Sequence, residues 1–178
     1  MQVERRPVPR WGRVAGVAGA IMLLAIMIIL VIGSEEPDRP VIPNPPLATA
    51  SYVVGRPPET NVLRLEVART HDEQERGLMG RDDVAEQGMA FPWNGRPANF
   101  WMHGTRIPLD IVYVGTDGRI ESVTRAEPFD ERGVPSRGNV SLVIEVPAGR
   151  ARLHGLKPGV EVRREKAPPQ AVRWSSGG

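Results

Sequence analysis

The sequence has no cysteine and only three histidines in 178 residues. Without thiols there is no disulfide framework, thiolate zinc site, iron–sulfur cluster or cysteine nucleophile. His71, His103 and His154 show no ligand spacing and fall in different predicted elements, so neither a metal nor any other cofactor is expected. Aromatic residues make up only 5%. Neither Gly-x-x-x-x-Gly-Lys-Ser/Thr nor Gly-x-Gly-x-x-Gly occurs, which removes the usual phosphate-binding loops. Ser122, Ser136 and Ser141 lack the tight-turn pattern that presents a nucleophilic hydroxyl.

A charge excess of one sign is also missing. The chain has 23 Lys and Arg against 21 Asp and Glu. Residues 1–13 hold four Arg and one Glu, a net +3, and residues 34–178 hold 19 basic and 20 acidic side chains, a net −1. The basic excess is therefore local, and no nucleic-acid partner is expected.

What is present begins with an apolar run. Val14 to Gly33 is 20 residues without a charge. As a helix it would rise about 30 Å, the thickness of a bilayer's hydrocarbon core. A signal peptide is the competing reading, but its apolar region typically has only about 7–15 residues. Arg5, Arg6, Arg10 and Arg13 precede the run, and Glu35, Glu36 and Asp38 follow it. The positive-inside rule then puts a basic arm (1–13) in the cytoplasm, a single-pass helix (14–33) in the lipid bilayer and the rest outside the cell membrane. Residues 34–59 contain seven prolines in 26 positions and read as an extended spacer. Residues 165–178 read as a disordered tail.

Between them, residues 60–164 are long enough for one core, with 15 basic and 15 acidic side chains. Leu63, Leu65 and Val67 alternate with Arg64 and Glu66, as in a half-buried strand. Thr70-His71-Asp72-Glu73 has the form of a capping box, predicting a short helix that ends near Gly77 or Gly80. A second helical turn is expected from Asp82 or Asp83 to before Gly88. Strands are expected at Met89–Phe91, Asn99–Met102, Leu109–Val114 and Ile120–Ala126, the last two joined by an Asp117-Gly118 hairpin turn. Phe129–Gly138 reads as a polar loop. Val140, Leu142, Ile144 and Val146 alternate again, and a short helix after Pro147 and a strand at Glu161–Arg163 follow. The expected fold is mainly β, a compact sandwich or barrel with two or three short helices.

Chemistry concentrates in Phe100-Trp101-Met102-His103-Gly104-Thr105-Arg106-Ile107-Pro108-Leu109-Asp110. Aromatic and thioether groups beside polar ones can line a pocket. The plainer reading makes Trp101, Met102, Ile107 and Leu109 core. Asp110 opens an apolar strand, so its burial would demand a hydrogen-bond partner. The weak catalytic candidates are Asp110, His103 and Glu145, because His103 as general base would need a carboxylate such as Asp110 or Glu145 within reach.

These blocks resemble the prokaryotic family called domain of unknown function 192. The matching residues are Glu75-Arg76-Gly77-Leu78-Met79, Arg81, Gly88-Met89, Phe91, Phe100-Trp101-Met102, Thr105 and Ile107-Pro108-Leu109-Asp110-Ile111. Asp117-Gly118, Ile144-Glu145-Val146, Ala148-Gly149, Gly155-Leu156 and Gly159 complete them, over about residues 61–163. The chain departs at His103-Gly104, where members commonly carry Lys-Asn, and at Val160, where they often carry Asp. The resemblance implies a compact sandwich or jelly-roll-like domain behind a signal peptide or membrane anchor, and it brings no established activity. Arg76, Met79, Trp101, Thr105 and Asp110 are the matching residues that become the ligand-binding candidates. The expected role is an anchored extracytoplasmic domain binding a small ligand, peptide or envelope protein. The alternatives are an envelope hydrolase using a carboxylate/His pair and a structural module of a membrane complex.

Overall fold

A computed structural model describes residues 40–82, 84 and 88–165. The basic arm, the apolar run 14–33, the first part of the spacer and all but the first residue of the expected tail lie outside the described residues. So does most of the helical turn expected after Asp82. Among the described residues no helix is long and apolar enough to cross a membrane. All of them but Pro40 belong to one compact unit, residues 41–178.

In chain order the described elements are β1 (Thr49–Arg56), β2 (Glu59–Val67), α1 (His71–Arg76), β3 (Met89–Arg96), β4 (Asn99–Phe100), β5 (Leu109–Gly115) and β6 (Ile120–Ala126). Then come β7 (Val134–Pro135), β8 (Val140–Pro147), α2 (Arg150–Leu153) and β9 (Val162–Arg164). Seven strands form one sheet in the order β6-β5-β8-β3-β2-β1-β9, and β4 pairs with β7 in a separate ribbon. Neighbours in the large sheet are antiparallel except β2 and β3, which run parallel. A parallel pair needs a crossover, and α1 lies in that connection. The sheet curls. The segments leading into its two edge strands meet through an Arg119–Glu161 bridge, with Ile120 N–H donating to Val160 at 2.9 Å and Val162 N–H donating to Gly118 at 2.8 Å.

The mainly β fold with short helices agrees with the sequence reading, but neither a sandwich of two large sheets nor a closed barrel forms. One large sheet buries both of its faces instead. Tyr52, Leu63, Leu65, Val112, Ile144 and Leu156 pack in the cluster on one face, and Leu78, Met89, Phe91, Met102, Ile111 and Tyr113 in the cluster on the other. The second face is covered by the segment after α1 and by the β4–β7 ribbon, whose Phe100 ring meets those of Phe91 and Tyr113 at 5.0 and 6.2 Å. This double cover is why β8 departs from its expected alternation. Every residue from Leu142 to Val146 is buried, Val143 and Glu145 included.

Local chemistry places the pieces as their residue types dictate. The Thr70 hydroxyl accepts from Glu73 N–H at 3.2 Å and the Glu73 carboxylate accepts from Thr70 N–H at 2.9 Å, which completes the capping box. Those backbone donors hold the Glu73 carboxyl below its ordinary range. Gly77 ends α1. The loop at Phe129–Gly138 contains the short strand β7, whose Val134 carbonyl accepts from the Tyr113 hydroxyl.

The spacer was expected to run to residue 59, yet Thr49–Arg56 is strand β1, with Tyr52, Val53 and Val54 buried. The seven prolines leave residues 47–56 free of proline, enough for a strand. Residues ahead of β1 are strapped down as well. Asn44 donates to the Glu73 and Gly77 carbonyls at 2.9 and 3.0 Å, and Leu47 N–H donates to Glu66 at 3.2 Å.

Candidate functional site

Four of the five ligand-binding candidates share one pocket. Arg76 comes from the end of α1, Met79 from the turn after it, and Trp101 and Thr105 from the segment after β4. Phe91 of β3 and Phe100 of β4 form walls, and Glu145 of β8 also lines it. The cavity measures about 30 Å³, room for one or two water-sized groups. Hydrogen bonds to backbone carbonyls fix this geometry. Gln74 of α1 donates to the Pro92 carbonyl at 3.0 Å, and Gly80 N–H donates to the Gly104 carbonyl at 2.8 Å. Gly77 lies against the Phe91 ring, where a Cβ would stand 3.5 Å from it.

Trp101 lines this pocket and does not join the core. It is 48% exposed and stacks on His103 with ring centroids 5.0 Å apart. The adjacent Met102 is fully buried, as is Leu109, and Ile107 is half-buried. The loop at 129–131 borders the same segment, with Phe129 N–H donating to Thr105 at 3.1 Å and Met102 N–H donating to Asp130 at 3.0 Å. Asp130 is itself gripped by Arg132, which pulls its carboxyl down to about 2.

Glu145 gives the pocket its chemical character. Sheet register lines up Glu66, Met89, Glu145 and Ile111 on neighbouring strands β2, β3, β8 and β5. Two carboxylates are thus buried in one row, 2% and 4% exposed, on either side of Met89. Their treatment differs. Glu66 receives both guanidinium arms of Arg81 at 2.9 and 3.0 Å. Glu145 has no hydrogen-bond donor or cation among the described residues, and burial alone pushes its carboxyl up to about 8. A buried ionisable group without a counter-charge is expensive, and active or binding sites are where such groups concentrate.

Asp110 belongs elsewhere. Successive strand residues face opposite sides of a sheet. Ile111 pairs with Glu145 and packs in the pocket-side cluster, while Val112 packs in the other. Asp110 therefore points away from Glu145, and the two do not form an acid–base pair. Its carboxylate accepts from Gly149 N–H at 2.7 Å and Ala151 N–H at 3.1 Å, tying down the start of α2. His103 meets neither Asp110 nor Glu145; its Nδ1 lies 2.9 Å from the Glu131 carboxylate on the surface. His71 opens α1, and His154 follows α2, where burial lowers its basicity.

The alternation rule misled on Glu66, which reads as a solvated strand residue, and it gave no reason to prefer Glu145 over other acids. The usable signal for Glu145 was an acid inside the apolar run Leu142–Val146. Phe129 left no signal beyond being apolar in a polar loop. It is the one non-glycine described residue with positive φ, at 59°.

Comparison with known proteins bears on the whole domain. The model of the family DUF192, an uncharacterized ACR, matches residues 54–164. A crystal structure of a protein of unknown function from Novosphingobium aromaticivorans DSM 12444 is similar with a TM-score of 0.62 and 38% identity, over 68% of this chain and 91% of that one. A second, from Sinorhizobium meliloti 1021 and named as a candidate transcription regulator, has a TM-score of 0.62 and 30% identity, over 68% of this chain and 97% of that one. Among curated proteins none matches. Sequence and fold agree, and this chain belongs to the DUF192 family.

Proposed function

We propose that this chain is a membrane-anchored extracytoplasmic domain that binds a small ligand, or the tip of a peptide or envelope partner, in the pocket at Glu145. The observation that carries the binding reading is the convergence of Arg76, Met79, Trp101 and Thr105 on a cavity that a buried, unpartnered carboxyl also lines. The apolar run 14–33 with its flanking charges supports the anchor. The hydrolase alternative loses its expected pairs, because Asp110 caps α2 on the other face and His103 pairs with Glu131.

Each half has its own test. In carbonate-washed membranes the full-length chain stays in the pellet, and protease added from outside removes the domain; a soluble, shortened form refutes the anchor. For the pocket, methionine methyl groups are labelled with carbon-13 in the full-length chain, held in non-ionic detergent. A mixture of one- to three-carbon alcohols, amides, acids and amines shifts the Met79 signal, and Trp101→Ala reduces the shift. A Met79 signal indifferent to every member refutes binding there.

A further inference from the structure

We infer that the group this pocket takes is a primary ammonium at the end of a slender alkyl chain, an inference that rests on the binding reading above. Size sets the first limit. About 30 Å³ matches one or two water-sized groups, the size of an ammonium and a methylene. The walls set the second. Phe91, Phe100 and Trp101 line it with aromatic rings, with Leu78 and the Met79 thioether beside them. Aromatic faces attract cations, and more so where water is excluded. Thr105 adds a hydroxyl oxygen, whose own donation to the His103 carbonyl is long, at 3.5 Å. An ammonium brings three donors and no acceptor, which matches a carboxylate and a hydroxyl oxygen beside aromatic rings.

Glu145 decides the sign. Along the same row of the sheet the fold supplies Glu66 with Arg81, and supplies Glu145 with no cation among the described residues. An anionic ligand would face both Glu145 and Glu75. Arg76 does not reverse this, since it is half-exposed and its guanidinium lies 3.7 Å from Asp72. A neutral ligand would leave the buried carboxyl protonated and gain only one hydrogen bond. An ammonium supplies the missing counter-charge. The reaction balances as a proton release: the Glu145 carboxyl loses its proton to solvent while the ammonium keeps all three of its own. Two sources offer this chemistry, a free alkylamine and a lysyl side chain. Trp101 and Phe129, 48% and 61% exposed on adjoining segments, provide an apolar surface beside the pocket for a lysine-bearing chain.

The test uses the full-length chain in non-ionic detergent, with Met79 methyl shifts as readout. The probes are n-propylammonium, n-propanol as its neutral counterpart, and Nα-acetyl-lysine amide. Binding of n-propylammonium tightens about tenfold from pH 6 to pH 7, because the carboxyl must ionise against a pKa of about 8. It is at least tenfold tighter than n-propanol at pH 7. Glu145→Gln, which keeps the shape and removes the charge, abolishes both the preference and the pH dependence. Tighter binding of the lysine amide identifies a lysyl side chain as the source; weaker binding identifies a free amine. If n-propanol binds as well as the amine, or amine binding is flat with pH or survives Glu145→Gln, the ammonium inference is overturned and the pocket stands. If no probe moves Met79, the binding reading falls with it.

Discussion

Replacing Glu145 by glutamine is expected to stabilise the domain, and increasingly so as pH rises. The carboxyl has an ordinary value of 4.5 and is pushed up to about 8 in the fold by burial. Between these values the folded state holds a proton that the unfolded state has lost. Stability therefore falls as pH rises, by about 1.4 kcal/mol per unit in the middle of the window. From pH 5.5 to pH 7.5 this one group removes about 2.5 kcal/mol, a substantial part of the roughly 5–15 kcal/mol that holds a domain together. The loss is nearly complete by about pH 9. His154 titrates in the same range with the opposite sign. Its folded value is lowered, so stability rises with pH up to the ordinary histidine value. Comparing the parent with Glu145→Gln cancels that contribution. The assay is guanidinium unfolding of the full-length chain in non-ionic detergent, followed by far-ultraviolet circular dichroism at half-unit steps of pH. The difference between the two proteins grows with the slope given above. A constant difference would show that Glu145 is ionised already at pH 5.5, either solvated or paired, and would refute the account of the pocket.

Other substitutions probe the supports of the site. Asp110→Ala strands the Gly149 and Ala151 N–H groups at the start of α2, and should cost about 2 kcal/mol, read as a lower denaturation midpoint at unchanged m-value. Arg81→Ala leaves Glu66 buried without its partner and should cost about 3 kcal/mol, most of it recovered by adding Glu66→Gln; a double-mutant cycle with additive losses would contradict the pairing. Gly88→Ala places a Cβ 2.1 Å from the Glu145 carbonyl oxygen at a φ of 137°, so soluble folded protein is not expected; a well-folded variant would show that β3 and β8 do not approach as described.

Much of the fold was legible because local rules governed it. The Thr70–Glu73 capping box, the Asp117-Gly118 hairpin and the β-branched run at Leu109–Val114 each depend on near neighbours. Reading failed where burial was set from a distance. Alternation describes a strand with one wet face, and β8 has none, so the pattern does not mark Val143 and Glu145 as buried. Proline counting described residues 34–59 as a spacer because it averaged over the proline-free stretch that became β1. The site itself was half legible. Arg76, Met79, Trp101 and Thr105 come from two separated segments, which tertiary contacts such as the Gly80–Gly104 hydrogen bond and the Arg106–Asp82 ion pair bring together.

Residue type and short spacing account for the mainly β character, the order of most elements, the helix start and the turns. The placement of charge along the chain, balanced over 60–164 and most basic at 1–13, is likewise a count and needs no structure. Which acid is structural and which is not depends on long-range packing. Asp110 and Glu145 look alike in sequence, each a carboxylate in an apolar strand. Strand parity sends Asp110 to the amide groups of α2 and Glu145 to the pocket, and sheet order gives Arg81 to Glu66 and leaves Glu145 without a cation among the described residues. Those outcomes depend on which strand lies beside which, and pairing between distant segments is not written in the spacing of any one of them.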